Sequence, residues 1–510
     1  MKKFITPVVA FVAMVASMLL NACTEPLTDT AAPDVVQTEA DALASIEFSP
    51  EELRLVEQIA NNSPKISQEN AQQTAMLLLG LQDEESENNP APSFSRPLMS
   101  TTVFCNRKTV YNGLSKSYEV ENDTAFYIFN TTDDNGFAIV AADLRVPNEV
   151  LAFSEHGNFD PESGNPGAAY FIALAQDYVA DCIAKAEAEE DSIYQSICSK
   201  LGIDLDSFKQ DTHLSKTIIL DKAKCTVVGT PKITIENLGA VAPMLTTHWT
   251  QDYPFNDKCD GCNAGCVPIA IAQMMAYWGY PKTGYDWNLM RNNDIMNSVV
   301  YRHNKKIPLS AQEKNYVAQV AKLVRFIGDG CKADYHTPST SDKGGYGKGT
   351  VKNNQIISFL RSVNLTSQRN MMDYSFSSVV DAIRYGRPVL FTGVESKTGN
   401  GHAWVADGYL KRIYTKEVVY KYCIVEQYDD GSIGTRFEDI PTVTRYNYNF
   451  LSFKWGWLGT DDGYYQTTLY DQNYRMEECP DGSFVVRQSE SRSPAERYDK
   501  SLKTVMDIRP

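Results

Sequence analysis

The chain has 510 residues, 43% hydrophobic, 22% charged and 11% aromatic, a composition that excludes global disorder and collagen-like structure and favours two or three globular domains. Its formal net charge of -16 repels nucleic-acid phosphates and anionic headgroups, so no nucleic-acid partner is expected. Eleven cysteines are too few for a small disulfide scaffold, and an odd number leaves at least one thiol unpaired.

The first residues read as an export signal. Met1, Lys2 and Lys3 supply a basic start, Phe4 to Leu20 is an apolar run, and small residues follow. That pattern is too short and wrongly flanked for a spanning helix. Leu20-Asn21-Ala22-Cys23 resembles a bacterial lipobox, which implies cleavage after residue 22 and lipidation of Cys23. The expectation is an exported lipoprotein at the outer membrane or cell surface. Residues 23–62, rich in Thr, Pro, Asp, Glu and Ala, then read as a flexible tether.

A first folded part is expected over 63–240. Ser67 can cap a helix whose first turn holds Glu69, with Ala71, Ala75, Leu78 and Leu79 on one face. A polar linker follows from Asp83 to Pro97. Ala125–Phe129 and Phe137–Ala141, two apolar runs around Asn130–Gly136, predict a β-hairpin. A helix is predicted over 167–190, and the part could close a small α+β domain of its own. His156 and His213 stand apart from any acid or cysteine cluster, so no chemistry is assigned to it.

Chemistry concentrates after residue 240. Gly265–Pro281 predicts a helix with both ends marked: Pro268 suits its first turn, Gly279 its carboxyl cap, and Pro281 stops it. Val267, Ile271, Met274, Met275 and Trp278 form its apolar stripe. Cys266 stands at the amino end, where unsatisfied N–H groups and the helix dipole favour thiolate. A base is needed. His303 and His336 lie in polar stretches, whereas His402 opens Gly401–Tyr409, a strand following the apolar Pro388–Phe391. His402 lies 136 residues beyond Cys266, within the roughly 130–150 residue spacing of papain-like enzymes. A thiolate and imidazolium from this pair could attack a peptide carbonyl and protonate the leaving amine.

With these residues in place, the chain resembles the streptopain-like bacterial cysteine proteases, whose fold is papain-related. Four blocks carry the resemblance: Leu245–Asn256 with Trp249 and Gln251, Gly265–Pro281, Gly401–Tyr409, and Trp455-Gly456-Trp457 leading to Gly463-Tyr464-Tyr465. It implies an α+β papain-like peptidase domain over 241–490, with a helical part carrying Cys266 and an antiparallel β part carrying His402, and a tail over 491–510. It also implies that 63–240 is an inhibitory propeptide, an intramolecular partner removed by proteolysis, as Asn135–Asp143 and Val150–Ser154 suggest. Gln251 matches the family's oxyanion-hole glutamine. A side-chain amide there could donate to a developing oxyanion alongside the Cys266 N–H. Protein or peptide substrates are implied, and no cofactor or metal.

One position departs from the pattern. Family members commonly carry Asn before the Trp-Gly-Trp, but here Lys454 precedes Trp455, and an ammonium cannot accept a hydrogen bond from an imidazole. Three readings stand open: a solvent-facing Lys454 with His402 held by a backbone carbonyl and the Trp455 ring, a weakened third element, or a degenerate homologue that binds peptide without cutting. Leu410–Leu451 is longer than the family requires and could add a hairpin. Cys259 and Cys262, the latter four residues before Cys266, could serve a zinc site, but no second ligand pair follows; a disulfide or a pair of neighbouring thiols is the alternative. The polar Ser339–Thr350 could border the cleft. Activation is expected by cutting between Lys222 and Pro243, which would free the peptidase from its anchor.

Overall fold

The computed structural model describes residues 48–61, 63–79, 98–112, 117–132, 134–200, 217–220, 226–335, 351–366, 368–394, 401–427, 433–470, 474–478, 484–488 and 502–510. The signal with Cys23, the 83–97 linker, His213, His336, the 339–350 loop and the Asp429–Gly431 turn lie outside them.

Two helices open the described chain, α1 (Pro50–Asn61) and α2 (Gln68–Leu78). The second is as predicted: the Ser67 hydroxyl accepts the Asn70 N–H, and Ala71, Ala75 and Leu78 are buried. The first lies at the end of the expected tether over 23–62, where residues 50–61 are helical rather than loose. Leu53, Leu55, Val56 and Ile59 face inward along one side of α1, and the Glu52 carboxylate accepts from Ser196 Oγ and Lys200 Nζ, each at 2.6 Å. Four buried aliphatics outweigh the polar composition from which a loose chain was inferred.

Strands β1 (Leu98–Asn112), β2 (Ser117–Thr131), β3 (Phe137–Ala141) and β4 (Val150–Ser154) form an antiparallel meander. The predicted hairpin is the β2–β3 pair, with Ile128 opposite Ile139. Next comes α3 (Pro166–Lys200), ten residues longer at its end than predicted. The linker contributes β5 (Thr217–Leu220) and β6 (Thr226–Val241).

Five helices follow: α4 (Cys266–Trp278), α5 (Trp287–Met290), α6 (Asn293–Asn304), α7 (Ala311–Gly330) and α8 (Asn353–Ser362). Gly279 ends α4 in the left-handed conformation with its N–H on the Ala276 and Met275 carbonyls, as its cap position requires. Every residue from Val267 to Ala276 is buried, so the helix has no polar face and the predicted stripe was too narrow. It runs through the middle of a core shared with α6, α7 and α8.

The β part holds β7 (Met372–Asp373), helix α9 (Phe376–Arg384), β8 (Val389–Val394), β9 (Gly401–Gln427), β10 (Ile433–Lys454), β11 (Gly463–Gln466), the separate hairpin β12 (Tyr474–Glu478) with β13 (Phe484–Gln488), and β14 (Lys503–Val505). β8 pairs with β9 so that Gly393 stands opposite His402. The long Leu410–Leu451 segment is the outer reach of the β9–β10 hairpin itself, and β5 and β6 lie along β9.

The first folded part has the expected α+β make-up, and its sheet continues into the peptidase part: β4 pairs with β11, and one twelve-stranded sheet runs through both among the described residues. The unpaired edge of a four-stranded meander finds its hydrogen bonds on the peptidase. Within the expected tail over 491–510, the described residues 502–510 are packed: β14 inserts between β8 and β7, with Leu502, Val505 and Ile508 buried. A core lies on each face of the shared sheet. Ala403 and Val405 face α4, while Trp404 and Ala406 face α3 together with Phe453, Trp455 and Tyr465.

Candidate active site

The first turn of α4 reaches β9, where the Cys266 sulfur accepts the N–H of Ala403, the residue after His402. Cys266 is partly buried. Desolvation raises its thiol pKa, and the main-chain N–H groups of Ala403, Val267 and Cys266 offset this only in part. The expected preference for thiolate is therefore not met in this arrangement, since burial outweighs the helix start.

His402 is 6% exposed, and its Nε2 lies 3.1 Å from the Trp455 carbonyl oxygen. Its ring is near-parallel to those of Trp404 and Trp455, with centroids 6.0 and 6.2 Å away. Desolvation lowers the imidazole pKa to about 4, against the opposing pull of the Trp455 carbonyl. Because side chains alternate along a strand, His402 shares the Trp404 face while Ala403 turns toward α4. The thiol and imidazole are thus engaged by separate partners, and no hydrogen bond joins them among the described residues.

The α3 side covers this aromatic face. Tyr170 stacks obliquely on Trp404 at 5.6 Å, and Phe171 meets Tyr465 edge-on at 4.7 Å. Just before α3, three donors converge on the carboxylate of Asp461: the Asp160 N–H at 2.8 Å, Ser163 Oγ at 3.1 Å and Asn165 Nδ2 at 2.9 Å. The Asp461 carbonyl in turn accepts from Trp455 Nε1 at 3.1 Å. Burial raises the Asp461 carboxyl pKa to about 6. Residues 155–162, His156 among them, and 458–464 line an open cleft of about 1110 Å³ that also receives His248 and Lys454.

Gln251 lies beside the loop leading to Cys266, 8% exposed, and its main-chain carbonyl accepts the Ala264 N–H at 2.8 Å. The Leu458 N–H donates to the neighbouring Trp249 carbonyl at 3.2 Å, tying this block to the Trp-Gly-Trp block. Cys259 and Cys262 are buried free thiols, with Cys262 Sγ donating to the Tyr335 carbonyl at 3.1 Å, so the disulfide reading does not hold.

Lys454 corrects the solvent-facing reading. It is 9% exposed, and its Nζ is 3.3 Å from Asp462 Oδ2. The other half of that reading is met, since a backbone carbonyl, that of Trp455, holds the imidazole. Gly167, Tyr170, Asp461 and Asp462 were missed by sequence reasoning. The one available signal was an acidic pair directly before the Gly463-Tyr464-Tyr465 block and eight residues beyond a lysine that wanted a partner.

Residues 249–465 match the Peptidase C10 family, and residues 63–179 match the family described as Spi protease inhibitor. Streptopain of Streptococcus pyogenes serotype M28 (strain MGAS6180) is 25% identical over 358 residues, spanning 67% of this chain and 73% of that protein. Streptopain of serotype M1 matches with the same identity and coverage. No solved structure matches the chain. With the inhibitor match preceding the peptidase match, the chain is a cysteine endopeptidase precursor that joins a Spi-type inhibitor propeptide to a Peptidase C10 domain.

Proposed function

We propose that Cys266 is the nucleophile and His402 the general acid–base of this peptidase, and that the described arrangement is its latent state. The observation that carries the reading is the cover over His402: Gly167 and Tyr170 of the inhibitor part pack on Trp455 and Trp404, the two indoles flanking the imidazole. Buried beneath them, the imidazole keeps the neutral form, and desolvation at the start of α4 keeps the thiol neutral as well. Removing residues up to about 240 readmits water, lowers the cost of both charges and lets the imidazole take the thiol proton. Sulfur then bonds to the substrate carbonyl carbon, with the oxyanion facing the Gln251 amide and the Cys266 N–H. His402 gives the proton to the departing amine and later takes one from the water that hydrolyses the thioester.

The Leu20–Cys23 motif supports export and lipidation at Cys23. The lipid is on the propeptide side, so cutting between Lys222 and Pro243 would release the peptidase from the membrane. The test is to express residues 24–510 as wild type and Cys266→Ala, and to follow chain length and labelling by a cysteine-directed peptide electrophile. Conversion to a fragment beginning near residue 240, labelled at Cys266 in the wild type alone, is expected. A chain that neither shortens nor labels after tryptic trimming points instead to a surface lipoprotein that binds peptide without cleaving it. Cys23→Ser in the full chain should abolish membrane association.

A further inference from the structure

The peptidase needs something to orient its imidazole, and its sequence has a lysine where an amide acceptor is common. Phe453 and Trp455 both belong to the aromatic cluster under α3, so Lys454 between them projects to the opposite side and cannot reach His402. It meets Asp462 instead. One oxygen of that carboxylate lies 3.3 Å from Lys454 Nζ, and the other accepts the Trp455 N–H at 2.9 Å. Both side chains are 11% exposed. Asp407 of β9 and His248 face the same lysine electrostatically, but Asp407 is committed to the Leu245 N–H and Ser452 Oγ, each at 2.8 Å.

The consequence is an anchored residue 455. Its N–H is held by Asp462 and its indole N–H by the Asp461 carbonyl, which leaves its own carbonyl aimed at His402 Nε2, 3.1 Å away. We infer that Lys454 and Asp462 form the positioning pair for the catalytic imidazole, acting through the Trp455 backbone in place of a side-chain acceptor. An ammonium against one carboxylate oxygen makes the bond from the Trp455 N–H charge-assisted, hence short and directional. A carbonyl so fixed favours the tautomer with hydrogen on Nε2, leaves Nδ1 free for the thiol proton, and stabilises the imidazolium once formed. The lysine is therefore a substitute for the missing amide, at one remove.

This rests on His402 being the base, and the experiment separates the two. Full-length Lys454→Met, Lys454→Arg and Asp462→Asn chains are matured in place by trypsin, their active sites titrated with a peptidyl electrophile, and kcat and KM measured against pH per titrated site. Lys454→Met and Asp462→Asn should lower kcat roughly 5–20-fold with KM within about twofold, the scale of one weakened hydrogen bond in the transition state. Their alkaline limb, which reports imidazolium deprotonation, should move to lower pH, and Lys454→Arg should restore it. Per-site kcat and an alkaline limb equal to wild type in both variants, however few sites survive, would overturn the pair alone. A wild type in which Cys266 titrates no electrophile overturns the base assignment and the pair with it.

Discussion

Gly167 stands so close to Trp455 that a Cβ on it would lie 2.1 Å from the indole Cε3. The first turn of α3 thus rests directly on the residue whose carbonyl holds the His402 imidazole, with no room for even one added carbon. Trp455 is fully buried and tied at both its nitrogens, so the ring cannot step aside. Gly167→Ala should lift the helix start from the site and weaken latency. Electrophile labelling of Cys266 in the unprocessed variant should be faster than in wild type, and equal rates would show that the contact does not govern access.

The raised Cys266 pKa and an imidazole pKa lowered to about 4 predict a specific pH response. Between about pH 5 and 8 the precursor should hold neutral thiol and neutral imidazole. The sign follows from burial: each group's charged form is the disfavoured one, so thiolate grows only as pH climbs. Alkylation of Cys266 in the intact precursor should therefore rise about tenfold per pH unit up to pH 8, without a plateau. After trimming, a plateau should appear at or below neutrality. Cys259 and Cys331, pushed up to about 11 and about 12, should remain slower than Cys266 throughout, as peptide-level mass spectrometry can verify.

Gln251→Ala should leave thiolate formation and electrophile labelling intact while lowering kcat about 10²–10³-fold, the cost of one oxyanion donor. KM should change little. A variant whose labelling falls together with kcat would mean that the loop from Gln251 to Ala264, joined at 2.8 Å, has moved, and that the glutamine is structural.

The linker's place along the inserted hairpin governs when it can be cut. Ile235 pairs with Tyr414, and Lys232 sits opposite Glu417 with an ion pair at 3.5 Å. A protease needs the chain extended and unpaired, so cutting requires local opening of β6. Ile235→Pro removes a ladder donor and should speed tryptic cleavage after Lys232 by about tenfold or more. Timed digestion of both chains, read by mass, provides the comparison, and unchanged rates would place control elsewhere.

The closing strand makes a stability prediction. Val505 and Ile508 are fully buried, and the Ile508 carbonyl accepts from Trp278 Nε1 at 2.9 Å at the far end of α4. Val505→Ala or Ile508→Ala should each cost about 2–4 kcal/mol, a core truncation beside that helix. Removing 502–510 should leave no soluble precursor. Urea midpoints for the point variants and soluble yield for the truncation measure both.

The amino-acid order by itself marked the helix that begins at Cys266, since Pro268, Gly279 and Pro281 act on the backbone of their own neighbours. It marked the histidine strand and the β2–β3 hairpin for the same reason: apolar runs and turn residues are local signals. It also pointed to Lys454 as anomalous. What only the tertiary structure decided was every relation between distant segments. Edge pairing of β4 with β11 merged two parts into one sheet, and β14 turned an apparent tail into a core strand. Burial at the start of α4 raised the thiol pKa of Cys266 against the expected helix-end preference. Asp462, eight residues beyond Lys454, drew the lysine away from the imidazole and left a backbone carbonyl to hold it. Periodicity reports which residues are apolar, whereas desolvation and ion pairing depend on what the folded chain places against them.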